Sequence, residues 1–257
     1  MTGNRDIIAA GDQERIRRAP DSHLIYAIGD IHGRADLLDD LLVRIADDAE
    51  RAPEARYRTL IFLGDYIDRG PDSARVIETL LFGLPEGFDA RFLKGNHEAM
   101  LLGFLDGAAN LMHWVQNGGD ATLASYGVEI SELDIGSEHA DRLRQHFAEM
   151  LPRAHRVFFD SLELMIELGD YLFVHAGIRP GRPLDQQDPH DLLWIREEFG
   201  CYREDFGKLV VHGHTSGPEP IIRPNRICID THAWFSGRLT ALRLHGSGRE
   251  LLWTSPD

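Results

Sequence analysis

Lysine is nearly absent from this 257-residue chain: of its 27 basic residues only Lys94 and Lys208 are lysines. Cationic work therefore falls to arginine, whose planar fork suits phosphate and carboxylate oxygens better than a point charge does. Cysteine is almost as scarce. Two residues, Cys201 and Cys228, are too few for a disulfide framework or a zinc ribbon and are expected as buried or half-buried free thiols. Neither opens a Cys-x5-Arg phosphate loop, because the sixth residue after each is Gly207 and Trp234. No Gly-x4-Gly-Lys-Ser/Thr nucleotide loop is present, since Leu209 follows Lys208, and no Gly-x-Ser-x-Gly nucleophile elbow occurs. No apolar run approaches the roughly 20 residues that span a bilayer. The first twenty residues are interrupted by charge and lack a secretory apolar core. The expectation is a cytoplasmic protein with no membrane partner. A formal net charge of −15 also argues against a nucleic-acid partner, which needs a basic stripe.

What is present is ordinary in bulk and unusual in pattern. A hydrophobic fraction of 43% supports a sizeable core, and the length suits one large α/β domain. Residues 1–22 are polar and unpatterned and are expected to be loose or marginally helical. Residues 23–257 then read as a single domain. Apolar runs over 23–30, 57–65 and 89–96 predict strands. Helical spacing predicts helices over 34–52 and 72–84 and from Glu98 to about Leu105. Residues 106–160 read as a helical insertion or cap. From 161 onward the pattern is β-rich, and Gly169–Asp170 signals a hairpin. The expected fold is α/β: two packed mixed β-sheets flanked by helices, a four-layer αββα sandwich with a helical insertion.

The informative feature is how the strands end. Five apolar runs finish in Asp, Asn or His beside glycine: Gly29-Asp30-Ile31-His32-Gly33, Gly64-Asp65, Gly95-Asn96-His97, His175-Ala176-Gly177 and Gly213-His214. One such end is most often a plain turn, and one histidine among thirteen is most often a surface or core residue. Five together at strand ends are not explained that way, because the carboxyl ends of strands form the ligand crevice of open α/β sheets. Carboxylate, imidazole and amide oxygen without thiolate suit divalent manganese, iron or zinc. Asp65 carries two oxygens and could bridge a pair of ions, the arrangement that activates water for attack on phosphorus.

In this order, "GDIHG", "GDYIDRG", "GNHE", "HAG" and "GHT" resemble the calcineurin-like metallophosphoesterases. More narrowly they resemble the serine/threonine protein phosphatases of the compact bacterial and phage branch. The resemblance covers about residues 23–245. It implies two divalent metal ions, manganese first and iron or zinc as alternatives. Asp30, His32 and Asp65 would hold one ion, and Asp65, Asn96, His175 and His214 the other. It further implies His97 as the general acid, held by Asp68, and Arg69 and Arg196 as phosphate-binding residues. The expected substrate is a phosphorylated protein, with a dinucleoside polyphosphate or another small phosphate ester as the alternative and an inactive metal-binding scaffold as a third reading.

Three features depart from the narrower pattern. The loop "HAGI" replaces the "HGG" of eukaryotic protein phosphatases. Diadenosine tetraphosphate hydrolases share "HAG" but usually lack the second aspartate of "DYIDRG". His232 falls where relatives commonly have glycine and reads either as a substrate contact or as a lining residue. His212, two residues before His214, could compete with it for metal. Trp194 and Phe199 could be core residues, which would leave Arg196 a surface charge.

Overall fold

The computed structural model describes residues 5–8, 15–130 and 137–255. Its first half runs β1 (Arg5–Ile7), β2 (His23–Ile28), α1 (Ala35–Ala49), β3 (Tyr57–Phe62), α2 (Ser73–Phe82), β4 (Asp89–Phe92) and α3 (Asn96–Leu105). Four helices follow: α4 (Leu111–Val115), α5 (Gly119–Ser125), α6 (Ser137–Met150) and α7 (Arg153–Asp160). The second half begins with β5 (Met165–Leu168), β6 (Tyr171–Val174), α8 (Pro189–Trp194) and α9 (Glu197–Cys201). It continues through β7 (Leu209–His212), β8 (Ile221–Arg223), β9 (Arg226–Cys228), α10 (Ala233–Ser236), β10 (Thr240–His245) and β11 (Gly248–Trp253).

The strands make two mixed sheets, ordered β1-β11-β10-β2-β3-β4 and β5-β6-β7-β9-β8. In the first, β2, β3 and β4 are parallel, as strand–helix–strand connections require. In the second, β6, β7 and β9 are parallel, between antiparallel edges β5 and β8.

Side-chain alternation explains the layering. Along β2, Ile25 and Ala27 join Phe173, Val211 and Ile227 in the core between the sheets. Leu24, Tyr26 and Ile28 point the other way, into the core under the helices of the first half. Likewise Leu172 and Val174 of β6 leave the inter-sheet core to pack with Leu192, Ile195 and Phe199. The apolar stripe of α1, Leu37, Leu38, Leu41, Leu42 and Ile45, is buried throughout. Each such side chain contributes about 1.5–3 kcal/mol of burial. The expected four-layer α/β sandwich is the architecture found.

Local differences have local causes. Within the expected loose segment over 1–22, Arg5–Ile7 form a strand on β11, with Arg5 beside Asp48 at 2.7 Å. Residues 1–4 and 9–14 of that segment lie outside the described residues. Three residues are too few to show a period. The described part of the block 106–160 consists of α4, α5, α6 and α7 joined by turns, and residues 131–136 lie outside the described part. Residues 191–199 span the end of α8 and the start of α9, separated at Ile195 and Arg196. Cys228 is buried as expected, whereas Cys201 is exposed. The hairpin at Gly169–Asp170 joins β5 and β6. Among the described residues no helix is long and apolar enough to cross a membrane.

Candidate metal centre and cleft

The ends of β2, β3, β6, β7 and β9 and the start of α3 bring Asp30, His32, Asp65, Asn96, His97, His214 and Asp230 to one cleft of about 310 Å³. His175 sits beneath it, fully buried. Asp65 is central. One carboxylate oxygen stands 3.6 Å from His32 Nε2 and 3.8 Å from His97 Nε2, and the other 3.4 Å from His175 Nε2. Two groups able to hold an ion therefore share Asp65: His32, Asp65 and His97, and Asp65, His175 and His214. The side-chain oxygen of Asn96 lies 2.9 Å from His175 Nε2 and 2.8 Å from His214 Nδ1.

Backbone carbonyls set the imidazoles. His32 Nδ1 donates to the Ile67 carbonyl at 2.9 Å and His175 Nδ1 to that of Leu63 at 2.8 Å. Nε2 of each ring is thereby left as a lone pair facing the centre. Asp30 accepts the His214 backbone N–H at 3.0 Å with one oxygen, and its other oxygen is buried with no hydrogen-bond partner. His214 Nε2 is buried and likewise unpartnered. Such groups are costly to bury unless something else satisfies them. This donor set fits divalent cations.

Electrostatics point the same way. Burial, with the neighbouring charge of His97, pushes His32 well below the ordinary histidine range. Burial and then His175 lower His214 to about 2. Both rings are thus kept as neutral donors. Burial alone would raise Asp65, but the surrounding histidines, His175 first and then His97, outweigh it and lower it. Asp30 is raised by burial and by Asp230 and Asp65. His97 differs from these neighbouring rings. Burial opposes its charge, yet Asp65 and Asp68 outweigh burial and raise it.

The support of His97 is dense. Its Nδ1 lies 2.7 Å from Asp68, a fully buried carboxylate that also accepts from Trp114 Nε1 at 2.9 Å and Thr122 Oγ1 at 2.6 Å. Trp114 and Thr122 come from the helical block over 106–160, so that block builds the inner wall of the site. Arg69 donates to Nε2 of His32 at 3.0 Å, and its guanidinium stands 3.2 Å from Nε2 of His97. Arg196 borders the cleft and donates to the His214 carbonyl at 3.3 Å. Phe199 is core, whereas Trp194 lines the cleft. His212 turns toward Phe199, with ring centres 5.0 Å apart, and does not line the cleft.

Besides Trp114 and Thr122, three residues not expected at the site belong to it. Glu98 accepts from the backbone N–H groups of Asp65, Tyr66 and Gly95 at 2.8–2.9 Å. It stands inside "GNHE", where its burial could have been suspected. Asp230 and Ser216 also line the cleft. Backbone geometry marks the same region: seven non-glycine residues among those described have left-handed φ, and six of them are His32, Asp65, Asp68, Arg69, His214 and His232. Such conformations cost on the order of 1–3 kcal/mol each and persist where surroundings enforce them, typically at functional sites. His232, at φ 56°, holds a conformation that glycine adopts freely.

The family model for calcineurin-like phosphoesterases matches residues 23–237. A bis(5'-nucleosyl)-tetraphosphatase PrpE, asymmetrical, from Oceanobacillus iheyensis is 28% identical over 236 residues, 85% of this chain and 88% of that protein. Its namesake from Anoxybacillus flavithermus is 30% identical over 246 residues, 86% and 90%. A solved structure described as a candidate diadenosine tetraphosphatase shares the fold, with TM-score 0.60 and 22% identity over 88% of this chain and 90% of that one. These relatives overturn the expectation of a serine/threonine protein phosphatase. The aspartate that argued for it, Asp68, serves the histidine beside the reacting centre and touches nothing that distinguishes a phosphoprotein from a nucleotide.

Proposed function

The chain belongs to the calcineurin-like phosphoesterase family and is a phosphoester hydrolase, and we propose that its substrate is a dinucleoside polyphosphate. The reading rests on relatives that span most of the chain and are named as asymmetrical tetraphosphatases. Cleavage of that kind divides a tetraphosphate into a nucleoside triphosphate and a monophosphate. The cleft suits such a chain of phosphates, because its floor carries polar donors and two arginines.

In this reading Asp30, His32 and Asp65 hold one divalent ion, and Asp65, Asn96, His175 and His214 the other. Oxygen and nitrogen donors without thiolate suit manganese, iron or zinc, and manganese comes first among them only through the family resemblance. When bound, the two ions would clamp phosphoryl oxygens and acidify a water for in-line attack. Arg69 and Arg196 bind the phosphate and offset the charge that grows on its outer oxygens. His97, whose protonated form Asp65 and Asp68 favour, gives its Nε2 proton to the departing oxygen. A phosphate leaving from an anhydride needs that proton less than an alkoxide does. Residues 23–257 act as one domain, with the block 106–160 as the wall behind His97.

The test is product analysis of diadenosine tetraphosphate with manganese-loaded protein. ATP and AMP are the expected products, and their formation ceases on chelation. Protein that hydrolyses p-nitrophenyl phosphate but leaves diadenosine tetraphosphate intact would refute the substrate.

A further inference from the structure

Beside the polar floor of the cleft stands a small apolar feature that the chemistry of phosphate transfer does not use. Trp234 lines the cleft and is 38% exposed, and the adjacent Phe235 is 79% exposed. The two rings lie 5.8 Å apart, and Trp234 faces the Arg69 guanidinium at 5.6 Å. Large aromatic side chains left open to water together are unfavourable unless something covers them.

The backbone carrying them is firmly held. His232 turns the chain in the left-handed conformation, and its carbonyl accepts from the N–H groups of Phe235 and Ser236 at 2.8 Å. The His232 N–H donates to Asp230 at 3.0 Å, Ser236 Oγ to the Thr231 carbonyl at 2.7 Å, and Arg34 to the Ala233 carbonyl at 3.2 Å. Ser216 Oγ meets the His232 ring. A fixed turn thus presents two open rings next to the arginine assigned to phosphate. That is the arrangement expected where a flat aromatic ligand group ends a phosphate chain, since every nucleobase has a face to stack and an indole accepts it without regard to sequence.

We propose that Trp234, with Phe235 beside it, is the stacking surface for one base of the substrate, placed so that the attached phosphates run over Arg69 into the metal centre. The inference rests on the nucleotide reading above and goes further, giving one nucleoside a defined seat and leaving the other to a different wall of the cleft.

The experiment compares ATP with tripolyphosphate, which carry the same number of phosphates with and without a nucleoside. Both are measured as competitive inhibitors of initial-rate p-nitrophenyl phosphate hydrolysis at fixed free manganese. In the wild type ATP should bind roughly tenfold or more tighter than tripolyphosphate. In W234A that ratio should fall close to one, and in W234F most of it should remain. Any disturbance of Arg69 weakens both inhibitors alike and cancels from the ratio. If W234A does not fold, F235A should lower the ratio by a smaller factor. A wild-type ratio near one, or a ratio unchanged in the variants, overturns the proposal. The ratio is measurable whether or not diadenosine tetraphosphate is cleaved, so failure of the substrate reading and failure of the base seat give different results.

Discussion

Replacing Asp68 by Asn keeps the shape of a buried side chain and removes its charge. Asp68 is fully buried and accepts from His97 Nδ1, Trp114 Nε1 and Thr122 Oγ1. An amide has one accepting side. If its oxygen stays with Trp114 and Thr122, its NH2 faces His97, and Nδ1 must then carry a lone pair, which an imidazolium lacks. If its oxygen turns to His97, two buried donors meet an NH2 instead. In either case the charge-assisted bond is lost, worth about 1.5–3 kcal/mol. At about 1.4 kcal/mol per tenfold, protonated His97 becomes roughly ten to a hundred times scarcer above its pKa.

The assay is kcat on phenyl phosphate and on p-nitrophenyl phosphate across pH. Phenolate is a poor leaving group and should lose roughly ten- to a hundredfold, whereas nitrophenolate, which departs without a proton, should lose under about threefold. Asp65 and Asp68 raise His97 in the native protein, so losing Asp68 lowers it and the alkaline limb for phenyl phosphate should move down by about one to two pH units. Equal losses on both substrates, or an unmoved limb, would refute the assignment of His97 as acid and of Asp68 as its holder.

Gly213→Ala should weaken metal binding with the fold intact, because a Cβ there runs into the carboxylate of Asp30; equilibrium dialysis of manganese reads it, and undiminished affinity counts against Asp30 as a ligand. His232→Gly should stabilise the chain by about 1 kcal/mol in urea titrations by relieving the left-handed φ, less what the contact with Ser216 contributes. Buried His155 is pushed below the ordinary histidine range, by burial against the opposing pull of Glu78. The unfolded chain then binds the extra proton, so the stability from keeping this ring neutral is full above about pH 6.5 and is lost as pH falls toward its lowered native value. His155→Gln should therefore lose less stability than the wild type between pH 7.5 and 5.5, read as urea midpoints.

The strand ends were legible because two independent signals coincided there. Glycine and a ligand-type side chain closed each apolar run, and parallel pairing brought those closures to one edge. Glu98 was half-legible, since it lies within a motif but acts on the backbone of a turn 32–33 residues away. Trp114 and Thr122 were not legible, because they reach Asp68 across 46 and 54 residues from helices with no motif. The substrate was misread for a related reason. The motifs surround the candidate metal centre, which both substrate classes would use, whereas Trp234 and Phe235 follow a turn that carries no motif. β1 escaped because a three-residue strand is specified by its partner β11, not by its own pattern.

The split of the centre between two sheets also has a meaning in time. A ribosome delivers Asp30, His32, Asp65 and Asn96 first, then spends several seconds, at roughly 5–20 residues per second, on the helices before His175 appears. β10, which flanks β2 in the finished sheet, emerges later still. On the assignment proposed above, a nascent chain carrying only the early half offers one ion the full set Asp30, His32 and Asp65, and the other only Asp65 and Asn96, on an unfinished sheet. The second set would therefore be complete only once His175 and His214 are made, and a truncated product ending before His214 would lack one of its donors.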